Sequence, residues 1–208
     1  KRQALEPELN GAGDNPVVLA EDDAVISTGN FQMPLLTVAL DAAGQALSHA
    51  ALGAVGRCAR LLSGEQAGLP ENLSTRRPDG AGLAPLMKTA EALLAGIRHD
   101  AGATPPEASA TGGGVEDVTA NAPLAALKLQ QVVERLETLL AVEAVTAAQA
   151  IDLAGVARTL PPAVAAAHAA VRARVAMLDQ DRPLGADVER VAAELVRGGI
   201  LAAPELAA

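Results

Sequence analysis

The chain of 208 residues has no tryptophan, no tyrosine and a single phenylalanine, Phe31. Proteins that grip single-stranded nucleic acid stack its bases on aromatic rings, and all nucleic-acid binders neutralise phosphates with a surplus of Lys and Arg. Here 16 Lys+Arg stand against 25 Asp+Glu, a formal net charge of -9, so nucleic acid is excluded as a partner. The lone cysteine, Cys58, cannot form an internal disulfide, and the default setting is a reducing one, the cytoplasm. No run of about 18 uncharged apolar residues occurs, so no membrane-spanning helix is expected, and no signal-peptide pattern opens the chain. The first residue is Lys1 rather than Met, which reads as an internal start: a processed chain or a fragment.

What is abundant is alanine, leucine and valine, within a hydrophobic content of 50%. Ala and Leu are strong helix formers, and small side chains let helices approach closely, so the composition predicts an all-α protein. The first 33 residues are the exception and read as a loop and hairpin segment. There Asp14-Asn15-Pro16 is turn chemistry, and Val17-Val18-Leu19 and Ala24-Val25-Ile26 flank an acidic turn as two short strands. Residues 34–208 then read as a helical bundle domain. Its first helix starts at Pro34, a favourable first-turn residue, and runs to about Leu62. Gly44, Gly53 and Gly56 lie inside that helix at up to about 1 kcal/mol each, which calls for close packing against another helix as compensation.

Further helices are expected at about 83–98, 119–153, 162–178 and 186–197, separated by Gly- and Pro-rich loops at 63–82 and 101–114. The clearest is the third of the five, where Leu129, Val132, Val133, Leu136, Leu139 and Leu140 follow helical spacing. At about 1.5 Å per residue it outreaches a compact domain of this size, so it needs a partner along part of its length.

The familiar catalytic constellations are missing. His49, His99 and His168 have no ligand spacing among themselves or to Cys58, so no metal site is expected. Gly112-Gly113-Gly114 is not followed by Lys-Ser or Lys-Thr and reads as a flexible hinge rather than a phosphate loop. Arg76-Arg77 reads as solvated loop charge, with an anion site as the alternative. Two places carry sharper possibilities. Phe31 stands beside Asn30 and Gln32 just before a helix, where it either anchors the helix entry or lines a pocket whose polar end an amide fixes. In Val115-Glu116-Asp117-Val118-Thr119 the acids precede the long helix, where they either complement its positive end or supply a general acid or base.

The order of these strings narrows the field. Asp14-Asn15-Pro16, then Gly29-Asn30-Phe31-Gln32, Asp41, Gly68-Leu69-Pro70-Glu71-Asn72-Leu73, Glu116-Asp117 and Ala148-Gln149-Ala150-Ile151-Asp152-Leu153 occur in one direction along the chain. The series resembles the C-terminal half of the histidine and phenylalanine ammonia-lyases, the aromatic amino acid lyases. The resemblance implies a long-helix fold assembled as a homotetramer. It also implies a protein-derived electrophile, 4-methylideneimidazole-5-one (MIO), formed from an Ala-Ser-Gly tripeptide, that drives loss of ammonia from an α-amino acid. By the same resemblance Phe31 lies beside substrate and MIO, Asn15 helps organise that site, and Glu116 contacts the amine or assists proton transfer as the catalytic carboxylate.

Ala-Ser-Gly does not occur in this chain, nor does the tyrosine that serves the family as base. Val115 stands where the histidine enzymes have glutamine, and a histidine after the two acids is missing. Met87 or Lys88 replaces a polar Gln or Glu expected early in the helix after the Pro- and Gly-rich loop. Two hypotheses follow. In one, the chain is the C-terminal part of an MIO-type ammonia-lyase or aminomutase, completed by an N-terminal MIO-bearing part or subunit in a homo- or hetero-oligomer. In the other, it is a non-catalytic helical partner subunit derived from the same fold.

Overall fold

The computed structural model describes residues 2–64, 68–76, 79–114 and 116–199. The expectation for Arg77 lies outside the described residues. In chain order the elements are α1 (Arg2–Asn10), β1 (Val17–Leu19), β2 (Ala24–Ile26), α2 (Pro34–Ser63), α3 (Ala84–Asp100), β3 (Glu107–Thr111), β4 (Glu116–Thr119), α4 (Ala122–Ala154), α5 (Pro162–Arg172) and α6 (Gly185–Val191). The last helix continues in wider π-type turns over Ala192–Arg197. The architecture is all-α with small hairpins, as the composition implied.

Three local differences have physical causes. Residues 2–10 are helical, not loop, and Arg2 Nε donates to Glu6 Oε1 at 2.6 Å one turn along. The stretch around Gly112-Gly113-Gly114 is not a hinge but the turn of a second antiparallel hairpin, β3–β4, with Thr111 opposite Glu116. All three glycines there take positive φ, the conformation that only glycine adopts without strain. α5 ends at Arg172, six residues before the expected end at Leu178 (178 − 172), and the chain turns back over α4 through Val175 and Leu178.

The chain divides into two compact units, one built from residues 1–47 and 98–132, the other from 48–97 and 133–208. In the first, the hairpin β1–β2 pairs Val17 with Ile26 and Leu19 with Ala24. The start of α2 is held by half-buried polar contacts: Asp41 accepts hydrogen bonds from the Thr104 amide at 2.7 Å and the Thr104 hydroxyl at 2.8 Å. Lys128 Nζ donates to the Gly102 carbonyl at 2.5 Å and to Thr104 Oγ1 at 3.1 Å. Thus Asp41, part of the ordered motif series, tethers α2 to the 101–104 turn. Gly44 fits the close-packing argument, since a Cβ there would stand 3.5 Å from Ala101 Cα.

The second unit contains most of the apolar core. Along α4, Leu136, Leu139, Val142, Val145 and Ala148 are buried, whereas Val133 and Leu140 turn to the surface. The seam is therefore narrower than the leucine pattern suggested. Gln149 is 1% exposed and fully satisfied. Its amide nitrogen donates to the Leu178 carbonyl at 2.9 Å and the Leu73 carbonyl at 3.4 Å, and its oxygen accepts from the Leu178 amide at 3.0 Å and from Arg172 Nη2 at 3.3 Å. Arg172 Nε also donates to Asp152 at 2.6 Å, and the second oxygen of Asp152 lies 2.7 Å from His168 Nε2. The string Ala148–Leu153 is thus a structural fastening: it ties α4 to α5, to the turn at Leu73 and to the segment at Leu178. A buried amide whose four hydrogen bonds are all made fixes a unique packing, and removing one partner leaves the rest exposed to the full desolvation cost.

By length and composition α2 is long and apolar enough to cross a membrane, because no charge falls between Asp41 and Arg57. That corrects the expectation drawn from counting charges. Ala43, Ala51, Ala54, Val55, Cys58 and Leu62 are buried, although only 22% of the apolar stretch is.

Cys58 yields a testable consequence. It is 0% exposed, and burial, reinforced by the negative charge of Glu143, pushes its thiol up to about 11. The folded chain then binds this proton more tightly than the unfolded chain. The resulting stabilisation is fully present below about pH 9 and is lost as the pH rises toward 11, at about 1.4 kcal/mol per pH unit. Iodoacetamide should label Cys58 slowly at pH 8 and rapidly once urea unfolds the chain; fast labelling of the folded chain would contradict this placement.

Candidate functional site

The site lies wholly within the first unit and is built from two motif strings. In the first, the side-chain oxygen of Asn15 accepts from the Thr28 amide at 2.9 Å and the Ser27 hydroxyl at 3.1 Å. Asn30 Nδ2 donates to the Ala12 carbonyl at 3.1 Å. These contacts stitch the Asp14–Pro16 turn to the segment 27–30. The next turn closes with the Gln32 amide donating to the Gly29 carbonyl at 3.1 Å, and Met33 takes a positive φ of 50° before α2 begins. That sequence of turns sets the half-buried ring of Phe31 at the entrance to α2.

The second string is the β3–β4 hairpin and the start of α4. Glu116 opens β4, is exposed, and accepts a hydrogen bond from the Thr111 hydroxyl at 3.0 Å across the glycine turn. Val115 lies outside the described residues. Asn121, at φ 55°, donates through Nδ2 to the Pro105 carbonyl at 2.9 Å and leads into α4. The buried Thr37 hydroxyl donates to the Ala120 carbonyl at 3.0 Å, which ties the start of α4 to the start of α2.

These pieces enclose an open cleft of about 350 Å³, lined among others by Phe31, Gln32, Met33, Thr111, Glu116 and Asn121. Phe31 and Glu116, 85 residues apart in sequence (116 − 31), line the same cleft. Asn15 does not line it; its contacts act on the segment that carries Phe31. The first turn of α4, through Ala122 and Pro123, borders the cleft, and the free amides of a helix start favour an anion or a carboxylate there. Among the described residues neither Lys, Arg nor His lines it. The cleft therefore offers an apolar ring, two neutral amides and one carboxylate, a set suited to a small zwitterion with an apolar body.

Thr111 and Asn121 were not singled out from sequence. The signal available for Thr111 was a tight glycine turn between residues of β character, which marks a hairpin and puts Thr111 opposite Glu116. Asn121 had only a weak signal, an Asx residue at a helix start. Among the described residues no group of three His, Cys, Asp or Glu side chains is placed to hold a metal ion.

The sequence matches the family described as aromatic amino acid lyase over residues 1–173. The chain belongs to that family. It is 36% identical over 201 residues to the histidine ammonia-lyase of Symbiobacterium thermophilum, covering 97% of this chain and 39% of that protein. Among solved structures, tyrosine aminomutase from Streptomyces globisporus superposes with a TM-score of 0.85 at 31% identity, covering 99% of this chain and 39% of the other. Histidine ammonia-lyase from Trypanosoma cruzi superposes with a TM-score of 0.88 at 26% identity, covering 98% and 40%. The chain thus spans about two-fifths of the length of the curated relatives it matches.

Proposed function

We propose that this lyase-family chain is the C-terminal part of an MIO-type amino acid ammonia-lyase or aminomutase, completed by an N-terminal part that carries the MIO group. The observation that carries the reading is the cleft: Phe31 and Glu116, the two residues the family resemblance assigns to substrate and amine, line one cavity in a chain that covers about two-fifths of its relatives. The lining fits such a group. It has an apolar wall, a carboxylate and the start of α4, and among the described residues no lining cation competes for the carboxylate. The MIO group, when bound, supplies an electrophile that makes ammonia a better leaving group.

This chain's residues supply the surroundings. Phe31 packs the apolar body of the amino acid and keeps water from that face. Glu116 accepts a hydrogen bond from the substrate ammonium or takes up its proton, with Thr111 holding the carboxylate in place. Asn15 acts as a positioning residue, because its contacts set the turn before Phe31. The base for the β proton comes from the N-terminal part, since this chain contains no tyrosine. We place the reaction in the cytoplasm, on the single buried cysteine and the family.

Assembly has its own support. Leu35, Val38, Leu52, Leu124 and Leu127 are exposed, and a Cβ at Gly56 would meet nothing within 4 Å. Repeated exposure of large apolar side chains along helices marks an interface, and the helix-packing role expected of Gly56 then falls to a partner. Native mass spectrometry of the complex containing this chain should give a multimer, four copies of each part. A folded monomer of 20.9 kDa at micromolar concentration would contradict it.

A further inference from the structure

We propose that Thr37 is a positioning residue for turnover: its buried hydroxyl fixes the wall of the cleft that carries Phe31 against the hairpin that carries Glu116. This role rests on reading the cleft as the substrate site. Thr37 does not line the cleft; it is 5% exposed and stands behind it in the first turn of α2. Both carbonyls within reach of its hydroxyl belong to lining residues, Ala120 at 3.0 Å and Met33 at 3.3 Å. Met33 lies just beyond Phe31, and Ala120 directly follows β4, which Glu116 opens. The Met33 carbonyl is the ordinary choice for a helical threonine, one turn back along its own element. The Ala120 carbonyl is 83 residues away in sequence and is the nearer of the two.

Backbone conformation marks the same place. Met33 and Asn121 both line the cleft with φ of 50° and 55°, a region that residues other than glycine enter only where the surroundings hold them. Asn121 is held by its own side chain, which donates to the Pro105 carbonyl. Met33 is held from Thr37, whose backbone amide and hydroxyl both reach its carbonyl, at 3.2 and 3.3 Å. One side chain thus secures a left-handed turn on one wall and the base of the hairpin on the other. Strand pairing carries that position along β4 to Glu116, opposite Thr111. Proton handling is sensitive to such placement, since a shift of about 1 Å at the reacting groups can cost about 100-fold in rate.

The test uses the complete assembly, this chain with its MIO-bearing N-terminal part. Thr37→Val keeps the shape and loses the donor, whereas Thr37→Ser keeps the donor and loses a methyl group. Thr37→Val should lower kcat/KM by about 10-fold or more, while Thr37→Ser stays within about 3-fold of the parent. In a Glu116→Gln background Thr37→Val should add less than about 2-fold, because a residue that acts through Glu116 has no carboxylate left to position. Amide hydrogen exchange on the same assemblies gives a readout free of turnover. Thr37→Val should speed exchange over residues 29–33 and 116–121 and leave 148–153 at the parent's rate. An equal loss of activity in both backgrounds, a Thr37→Val assembly as active as the parent, or unchanged exchange in the first two segments would overturn the assignment. If Thr37→Val yields no folded assembly, Thr37→Ala loses the same donor and is held to the same outcomes. A folded parent that transforms no amino acid, with exchange faster over both segments in Thr37→Val, would leave the tie standing and overturn the lyase reading instead.

Discussion

Glu116→Gln in the complete assembly should lower turnover by about 10²–10⁴-fold, the usual scale for a lost general acid or base. The substitution keeps the size of the side chain and an oxygen able to accept the Thr111 hydroxyl, so the hairpin has no reason to rearrange. Glu116 is exposed, and replacements at such positions change stability by no more than about 0.5 kcal/mol. Loss of activity with an unchanged melting temperature therefore isolates the charge. Two other outcomes would be instructive. If Glu116→Gln keeps full activity while Asp117→Asn loses it, the catalytic carboxylate is the next residue. If both variants keep full activity, the two acids serve only the hairpin and the start of α4, and the catalytic assignment is wrong.

The fold was legible because its signals are local. Alanine and leucine declare helix wherever they cluster, Pro34 marks the start of α2, and the apolar spacing from Val132 to Leu139 marks the buried side of α4. The short elements were harder. α1 has Pro7 within it and little apolar content, so nothing in its pattern separated it from loop. The β3–β4 hairpin turns on three glycines whose flexibility reads equally as a hinge or as a tight turn. Pairing across the turn decides between them, and pairing is not a property of composition.

The site was legible in a different way. Phe31 and Glu116 were found by the order of motifs, whereas their convergence on one cleft depends on the Thr37–Ala120 tie between the starts of α2 and α4. Asn15 belongs to the same motif series, but its hydrogen bonds are spent on the backbone around Ser27 and Thr28, so its influence reaches the cleft through Phe31. Gln149 and Asp152 show the converse. Their string matches the family as closely as any other, and its side chains are consumed in fastening α4 to α5. A motif that identifies a family need not mark its chemistry.

The second large effect concerns the source of the electrophile. Without Ala-Ser-Gly the chain has no segment from which MIO forms, and without tyrosine it lacks the family's base. Expulsion of ammonia from an unactivated amino acid is slow because the amine is a poor leaving group, and neither Glu116 nor Phe31 changes that. The cleft should contribute binding and proton handling only after an N-terminal part supplies the rest. The decisive measurement is formation of ammonia or of a β-amino acid from a panel of amino acids by the purified chain, alone and then combined with an N-terminal part carrying Ala-Ser-Gly. Neither product should rise above background with the chain alone, and one of them should form steadily with the combination. Either product from the chain alone, or neither from a well-folded combination, would contradict this.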